Sequence, residues 1–278
     1  MINSFKYRPE IDGLRALAII PVILFHLNNK IFSGGFIGVD IFFVISGYLI
    51  TSVIIQDLYI KKLSVFNFYE RRVRRIIPAL FFVILITTPF FFFKMSSGVL
   101  WDYFQSLISI IIFLSNFLFT LENNYFDVSE EYKPFIHTWS LAVEEQFYII
   151  IPLILIFFIK NKKLIYMVYF LIIICLISLS VCYLNDYIKI STNSKIIERF
   201  NSAGWGSFFM PFGRYWELIA GSLVALYSRY FSLKDSKIIS GLSLLTIVFC
   251  VVYFDTEIKY PGIFTTIPVI ATVLIICY

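Results

Sequence analysis

The most regular feature of this sequence is a succession of apolar segments, most of them about as long as a bilayer is thick. Nine such segments alternate with polar stretches: Leu14–Leu27, Phe36–Ile55, Ile76–Phe93, Leu100–Thr120, Trp139–Ile159, Leu164–Leu184, Tyr215–Tyr230, Ile238–Phe254 and Ile263–Tyr278. In lipid every backbone polar group must find its partner within the protein, so such segments form helices. The pattern predicts an all-α, polytopic transmembrane bundle of about nine helices, with residues 1–278 forming one domain.

Composition supports a membrane protein. Hydrophobic residues make up 59% of the chain and charged residues 15%, whereas a soluble domain carries about 45–50% and about 25%. The first segment has no small-residue cleavage site and contains Arg15 and His26, so we expect it to stay in the membrane. The last segment ends at Tyr278 without a polar flank, which predicts that further C-terminal helices are missing from this chain.

The net charge of +5 does not have the form of a nucleic-acid surface: six of the 23 basic residues lie in one loop and the others are scattered. That loop, between the second and third segments, holds Lys61, Lys62, Arg71, Arg72, Arg74 and Arg75. Basic loops mark the cytoplasmic side, so the N-terminus is predicted to be cytoplasmic. The later topology stays open: if one segment between Ile76 and Thr120 is re-entrant, every following loop changes side.

Ionisable residues inside apolar segments are costly, and each is therefore a candidate for function. The first group lies on the N-terminal helix, where Arg15 and His26 share one face about 16 Å apart. Asp12 precedes Arg15 by three residues and is placed to pair with it. Histidine suits general-base work near neutral pH, although a membrane histidine can also simply bond a neighbouring helix.

The second group is the arginine cluster of Arg71, Arg72 and Arg75, which a helix presents on adjoining faces. Guanidinium groups match phosphate oxygens in a bidentate manner, so this cluster is a candidate clamp for the phosphates of coenzyme A. A purely topological anchor that contacts lipid headgroups is the alternative.

The third group is a polar stripe on a helix that enters the membrane, formed by His137, Ser140, Glu144 and Tyr148. Trp139, beside it, suits a position at the membrane interface. A hydrogen-bonded seam between helices is the alternative to a functional site.

The fourth group lies near the C-terminal end of the sequence. Arg214 and Glu217 are spaced to pair, and Gly221 with Ala225 gives a small-residue contact surface, so this helix is interpreted mainly as a packing element. Asp40 is a further membrane carboxylate, and the glycines around it indicate close backbone approach or a bend.

Taken in order, these groups resemble the membrane acyltransferase-3 family, which includes bacterial O-antigen and exopolysaccharide O-acetylases. The blocks that carry the resemblance are YRPEIDGLRALAIIPVILFH, GGFIGVDIFFVISGYLI, FYERRVRRIIPAL, HTWSLAVEEQFY and RYWELIAGSL. Family members usually continue through further helices, including a tyrosine-rich segment with a histidine–tryptophan–proline sequence, which is absent from this sequence.

The resemblance implies a function and places it on residues. The family's arginine–histidine pair falls on Arg15 and His26, and its serine–glutamate–tyrosine motif falls on Ser140, Glu144 and Tyr148. Its arginine cluster falls on Arg71, Arg72 and Arg75. We therefore expect an O-acyltransferase of the bacterial inner membrane that moves an acyl group, in the first place acetyl, from acyl-CoA to a cell-surface carbohydrate. Lipopolysaccharide O-antigen and exopolysaccharide are the expected acceptors, and the acceptor is expected to be either free or lipid-linked.

In the expected mechanism, His26 removes the proton from the sugar hydroxyl while Arg15 steers the thioester and Glu144 orients the histidine. An acyl-histidine relay is a second route. The sequence has no metal-ligand cluster and no dinucleotide loop, so no further cofactor is expected.

Two alternatives remain at this stage. A polytopic transporter of a small or lipid-linked solute could use His26, Asp40 and Glu144 as a proton relay. No related halves are visible in the sequence, which counts modestly against it. A catalytically inactive scaffold is the third possibility.

Overall fold

A computed structural model describes residues 8–27, 30–60, 64–94, 97–122, 133–184, 204–230, 236–258 and 260–278. Within these ranges the chain forms ten α-helices and no strand. They are α1 (Pro9–His26), α2 (Gly38–Tyr59), α3 (Val65–Lys94), α4 (Ser97–Ile111), α5 (Ser115–Glu122), α6 (Thr138–Lys160), α7 (Leu164–Tyr183), α8 (Tyr215–Tyr230), α9 (Lys237–Tyr253) and α10 (Thr266–Cys277). The all-helical prediction is confirmed.

Four of the described helical spans are long and apolar enough to cross a membrane: Gly35–Tyr59, Val65–Phe93, Thr138–Lys160 and Leu164–Tyr183. The count of nine helices was not confirmed, because the predicted segment Leu100–Thr120 is two helices, α4 and α5. Between them Phe113 has a φ of 54°. This left-handed conformation is costly for a residue with a side chain and cannot continue an α-helix.

Helix α2 lies at the centre of the bundle, where it packs against α1, α6, α8 and α10. Its closest neighbour is α8. A Cβ atom on Gly47 would overlap the backbone carbonyl of Leu218, and one on Gly221 would overlap that of Val44. Two helices therefore touch backbone to backbone, which is how small residues drive association where no hydrophobic effect operates.

The helices run between two ends of the bundle, named here the histidine end (His26, Gly38, His137) and the arginine end (Tyr59, Arg71, Lys160). The rings of His26 and His137 are in contact, so α6 begins where α1 ends. Helix α3 begins at the arginine end and ends at the histidine end. Helix α6 also begins at the histidine end.

Helices α4 and α5 together do not carry the chain across the bundle: it lies at the same end before α4 and after α5. Ser115, which begins α5, donates a hydrogen bond to the carbonyl of Thr138 at 3.1 Å. Gln146 of α6 donates to the carbonyl of Phe113 at 2.9 Å. The break between α4 and α5 thus lies against the first half of α6, and the pair enters and leaves at the histidine end. The structure supports the re-entrant alternative of the two topologies.

Candidate functional site

A groove of about 220 Å³ follows one face of α1. Its α1 wall is formed by Ala18, Ile19, Val22 and Ile23, its α2 wall by Gly38, Val39 and Phe42, and Ser140 of α6 contributes a hydroxyl. The α1 residues continue the three- and four-residue spacing that starts at Arg15 and ends at His26. The groove therefore lies along the stretch of α1 between these two polar residues, on the same helix face.

Beside the groove, the start of α2 lies close to the backbone of the middle of α1. A Cβ atom on Gly38 would overlap the carbonyl of Ala18, and one on Gly35 would overlap that of Pro21. The glycines around Asp40 therefore serve close backbone approach, as the sequence predicted.

His26 is exposed, one helical turn beyond the groove residues Val22 and Ile23. Its Nδ1 lies 2.8 Å from the carbonyl oxygen of Val22. A carbonyl can only accept, so Nδ1 must carry the hydrogen, and in the neutral ring Nε2 is then the proton acceptor. In this tautomer Nε2 is the nitrogen that can act as a general base or a nucleophile.

His137, the residue that precedes α6, stands against His26 with a ring-centroid distance of 4.4 Å and an interplanar angle of 85°. Part of its surface remains open, but desolvation by the surrounding protein and, secondarily, the nearby His26 lower its pKa to about 4. His137 is therefore neutral at neutral pH and places no positive charge beside the base.

Arg15 is half-buried, and its Nη1 lies 3.3 Å from the Asp12 carboxylate, which confirms the predicted pair. Both side chains keep part of their surface open. A partly exposed pair of this kind contributes at most about 1 kcal/mol to stability, so it matters little for folding.

Glu144 forms a buried seam in the middle of the bundle. Ser46 of α2 donates to one of its oxygens at 2.8 Å, and Tyr148 donates to the other at 3.2 Å. Glu144 was expected to orient His26, but these two hydrogen bonds join it to Ser46 and Tyr148. The ring that contacts His26 across the bundle is that of His137. Ser46 was missed at the sequence level, although a serine inside the most apolar part of α2 was a signal.

The arginine cluster divides in the structure. Arg71 is exposed and pairs with Asp57 at 2.7 Å, and Arg75 is exposed as well. Arg72 is half-buried, with its guanidinium carbon 5.3 Å from the centroid of the Tyr148 ring. Arg71 and Arg75 therefore face outwards at the arginine end, while Arg72 belongs to the Glu144 seam.

A second polar cluster is completely buried beneath the histidine end. Arg214 pairs with Asp40 at 2.6 Å and with Glu217 at 3.0 Å, which confirms the predicted pairing of Arg214 with Glu217. Its Nε donates to the carbonyl of Phe208 at 3.1 Å, and the hydroxyl of Tyr260 donates to Asp40. The sequence analysis treated Asp40 and Arg214 separately, because they are 174 positions apart in the chain.

Trp139 belongs to this cluster. Only 1% of it is exposed, and the Arg214 guanidinium lies 5.6 Å from the centroid of its ring. Its ring therefore covers a buried cation, and the position of Trp139 at the membrane interface stays a prediction. Tyr260 and Phe208 were not singled out from the sequence, since each lies outside the regular apolar helices and carries no charge.

Residues 8–278 match the acyltransferase-3 family (Acyl_transf_3), described as an acyltransferase domain. The chain belongs to this family. The resemblance found in the sequence is thus confirmed over almost the whole chain.

Curated relatives carry O-acetyltransferase names. O-acetyltransferase OatA of Staphylococcus aureus (strain NCTC 8325 / PS 47) is 36% identical over 287 aligned positions, which cover 98% of this chain and 45% of the relative. Peptidoglycan O-acetyltransferase OatA of Listeria monocytogenes is 44% identical over 171 positions, which cover 58% of this chain and 26% of the relative. Putative O-acetyltransferase SAS0844 of S. aureus (strain MSSA476) is 39% identical over 158 positions, covering 55% and 26%.

This family member spans less than half the length of the curated relatives it matches. No solved structure matches it.

Proposed function

We propose that this protein transfers an acyl group, in the first place acetyl, from acyl-CoA to a carbohydrate hydroxyl, with His26 as the base. The observation that carries the proposal is the position of His26: it lies one helical turn beyond the α1 residues Val22 and Ile23 that line an apolar groove, with Nε2 as the proton acceptor and a neutral His137 beside it. Membership of an acyltransferase family supports the reaction class.

In the proposed reaction the acyl group lies in the groove, because its walls are apolar except for the Ser140 hydroxyl. The thioester carbonyl is then directed towards His26. The acceptor oxygen bonds to the carbonyl carbon while its proton moves to Nε2, the carbon–sulfur bond breaks, and the coenzyme A thiolate takes the proton from His26. Attack by Nε2 itself, giving an acyl-histidine, uses the same geometry.

The phosphates of the donor are assigned to Arg71 and Arg75, which are exposed and carry guanidinium forks. Arg72 is not assigned to phosphate, because its guanidinium covers the Tyr148 ring. Binding of coenzyme A should therefore weaken in Arg71→Ala and Arg75→Ala and depend on salt concentration.

For the acceptor we propose a carbohydrate polymer of the cell surface, with peptidoglycan to be tested first. The name of the Listeria relative specifies peptidoglycan. Peptidoglycan therefore takes the place of the lipopolysaccharide O-antigen expected from the sequence. A lipid-linked precursor of the polymer is the form in which such an acceptor would reach a membrane enzyme.

The test uses the purified chain in proteoliposomes with radiolabelled acetyl-CoA and peptidoglycan fragments or their lipid-linked precursor. Wild type should release coenzyme A and label the carbohydrate, and His26→Gln should lose roughly 10²–10⁴-fold of that rate. Lys30→Ala, at the same end of the bundle but off the groove, is the matched control. Normal transfer by a correctly inserted His26→Gln protein would refute the proposal.

The same vesicles separate the proposal from transport. Movement of a solute across the membrane without release of coenzyme A would favour the transporter alternative. Turnover of acetyl-CoA that depends on His26 but leaves no label on carbohydrate would keep the acyl transfer and reject the acceptor.

A further inference from the structure

The buried cluster around Arg214 is costly for a feature that only packs helices. Arg214, Asp40 and Glu217 are each no more than 1% exposed. One guanidinium faces two carboxyl groups, and Nη2 of Arg214 and Oε2 of Glu217 have no hydrogen-bond partner among the described residues. Well-packed apolar side chains of similar volume would be at least as stable as such a group, so the cluster calls for another explanation.

The cluster is connected to His26 through a row of ring contacts and to His137 through the chain at the start of α6. On one side the Tyr260 ring lies 4.7 Å from Phe36, Phe36 lies 5.6 Å from Phe25, and Phe25 lies 5.1 Å from His26, all between ring centroids. This row of edge-on rings supports the end of α1.

On the other side Trp139 covers Arg214 and lies 4.8 Å from Phe208, again between centroids. His137 is two residues before Trp139, at the beginning of α6. The ion pair between Asp40 and Arg214 fixes the first turn of α2, where Gly38 and Val39 form the groove wall. The cluster thus contacts or supports α1, α2 and α6, the three helices that line the groove.

We propose that Arg214, together with Asp40, Tyr260 and Trp139, positions the His26 and His137 rings relative to each other. These are positioning residues, since they act through Phe25, Phe36 and the start of α6 rather than by touching the reacting atoms. The catalytic consequence rests on the proposed function, but the geometric claim does not.

The geometric claim can be measured without activity, because the chain contains two histidines in all. Diethyl pyrocarbonate acylates neutral imidazole nitrogens, and mass spectrometry of the peptides gives one labelling rate for His26 and one for His137. The ratio of the two rates reports their mutual shielding, and it requires no substrate.

The main variant is Tyr260→Phe, which removes one hydroxyl from Asp40 and keeps the ring against Phe36. Trp139→Phe is the second, which reaches the pair through His137 instead. The matched control is Thr51→Val: the Thr51 hydroxyl donates to Ser222 at 2.8 Å and links α2 to α8 eleven residues further along. It weakens the same helix pair far from the histidines.

We expect the ratio of labelling rates to change about threefold or more in Tyr260→Phe and in Trp139→Phe. Where transfer is measurable, kcat should fall about 10- to 100-fold with little change in KM. Thr51→Val should keep the wild-type ratio of labelling rates, even if its thermal midpoint falls as much as those of the two cluster variants. Wild-type ratios in both folded cluster variants would overturn the proposal.

The outcomes distinguish this proposal from the proposed function. A changed ratio in a protein that shows no acyl transfer supports positioning and counts against the enzymatic assignment. A loss of transfer with an unchanged ratio overturns positioning, while leaving His26 as the base.

Discussion

At the level of single residues, burial and partners decide what each polar group in this bundle can do. His26 is exposed and hydrogen-bonded through Nδ1, so in the neutral ring its other nitrogen is the one without a hydrogen. Glu144 is buried and receives two hydroxyl hydrogen bonds, so it is held still rather than exposed to substrate. Arg72 is half-buried on an aromatic ring, whereas Arg71 and Arg75 are open. Three residues of one motif therefore have two roles.

The first prediction concerns pH. The pKa of His137 is lowered to about 4 from an ordinary value of 6.5, chiefly by desolvation. Between those values the unfolded chain binds a proton at this residue that the folded chain does not. His137 therefore has no effect on the free energy of unfolding above pH 6.5. As the pH falls from 6.5 towards 4, protonation in the unfolded chain lowers that free energy.

The measurement is the thermal midpoint in detergent at pH 7.5 and pH 5, for wild type and for His137→Gln. Wild type should lose more stability than the variant over this interval. Carboxyl groups also titrate in this interval, but they are the same in both proteins. Their contribution therefore cancels when the two losses are compared. Equal losses would contradict the lowered pKa.

The second prediction concerns the Glu144 seam. Glu144→Gln keeps an oxygen that can accept from Ser46 or Tyr148, and should be well tolerated. Glu144→Leu leaves two buried hydroxyl groups without their acceptor, which costs about 1–3 kcal/mol each when no new partner is found. The thermal midpoint of the leucine variant should therefore lie clearly below that of the glutamine variant. Equal midpoints would mean that the seam adds nothing to stability.

At the level of helices, apolar pattern and end signals predict most elements, and backbone strain accounts for the main error. Helix α8 has the predicted bounds, Tyr215–Tyr230, while α1 begins five residues earlier than predicted because Pro9 suits a first helical position. The break between α4 and α5 has no such signal. Residues 111–115 contain neither glycine nor proline, and the apolar pattern runs on through Phe113.

The third prediction tests the contact between α2 and α8. A Cβ atom on Gly47 would meet backbone atoms of Leu218. Backbone atoms cannot move aside as the end of a flexible side chain can. Gly47→Ala should therefore destabilise the protein by about 1–3 kcal/mol. Gly241→Ala in α9 is the matched control, because nothing lies within 4 Å of a Cβ there. Alanine favours a helix more than glycine does, so the control should be neutral or stabilising. A control that unfolds earlier than Gly47→Ala would contradict this account.

At the level of the whole molecule, the local pairs were predictable and the long-range ones were not. The i, i+3 spacing gave Asp12 with Arg15 and Arg214 with Glu217, because helix geometry alone sets those distances. The contact of Asp40 with Arg214 and that of His26 with His137 depend on which helices become neighbours. One sequence contains no information on that choice beyond its motifs.

The last prediction concerns the sidedness of the chain. In a variant whose four cysteines are replaced by serine, single cysteines at Lys30, Pro134 and Arg74 mark the loop before α2, the connection before α6 and the first turns of α3. If α4 and α5 form a re-entrant pair, an impermeant maleimide should label Lys30→Cys and Pro134→Cys from one side of the vesicle, and Arg74→Cys from the other. Basic residues favour the cytoplasmic side for Arg74. Labelling of Pro134→Cys together with Arg74→Cys would restore a membrane-crossing segment between residues 100 and 120. Because His137 would then begin α6 on the opposite side from His26, the same result would also separate the two histidines on which the proposed site depends.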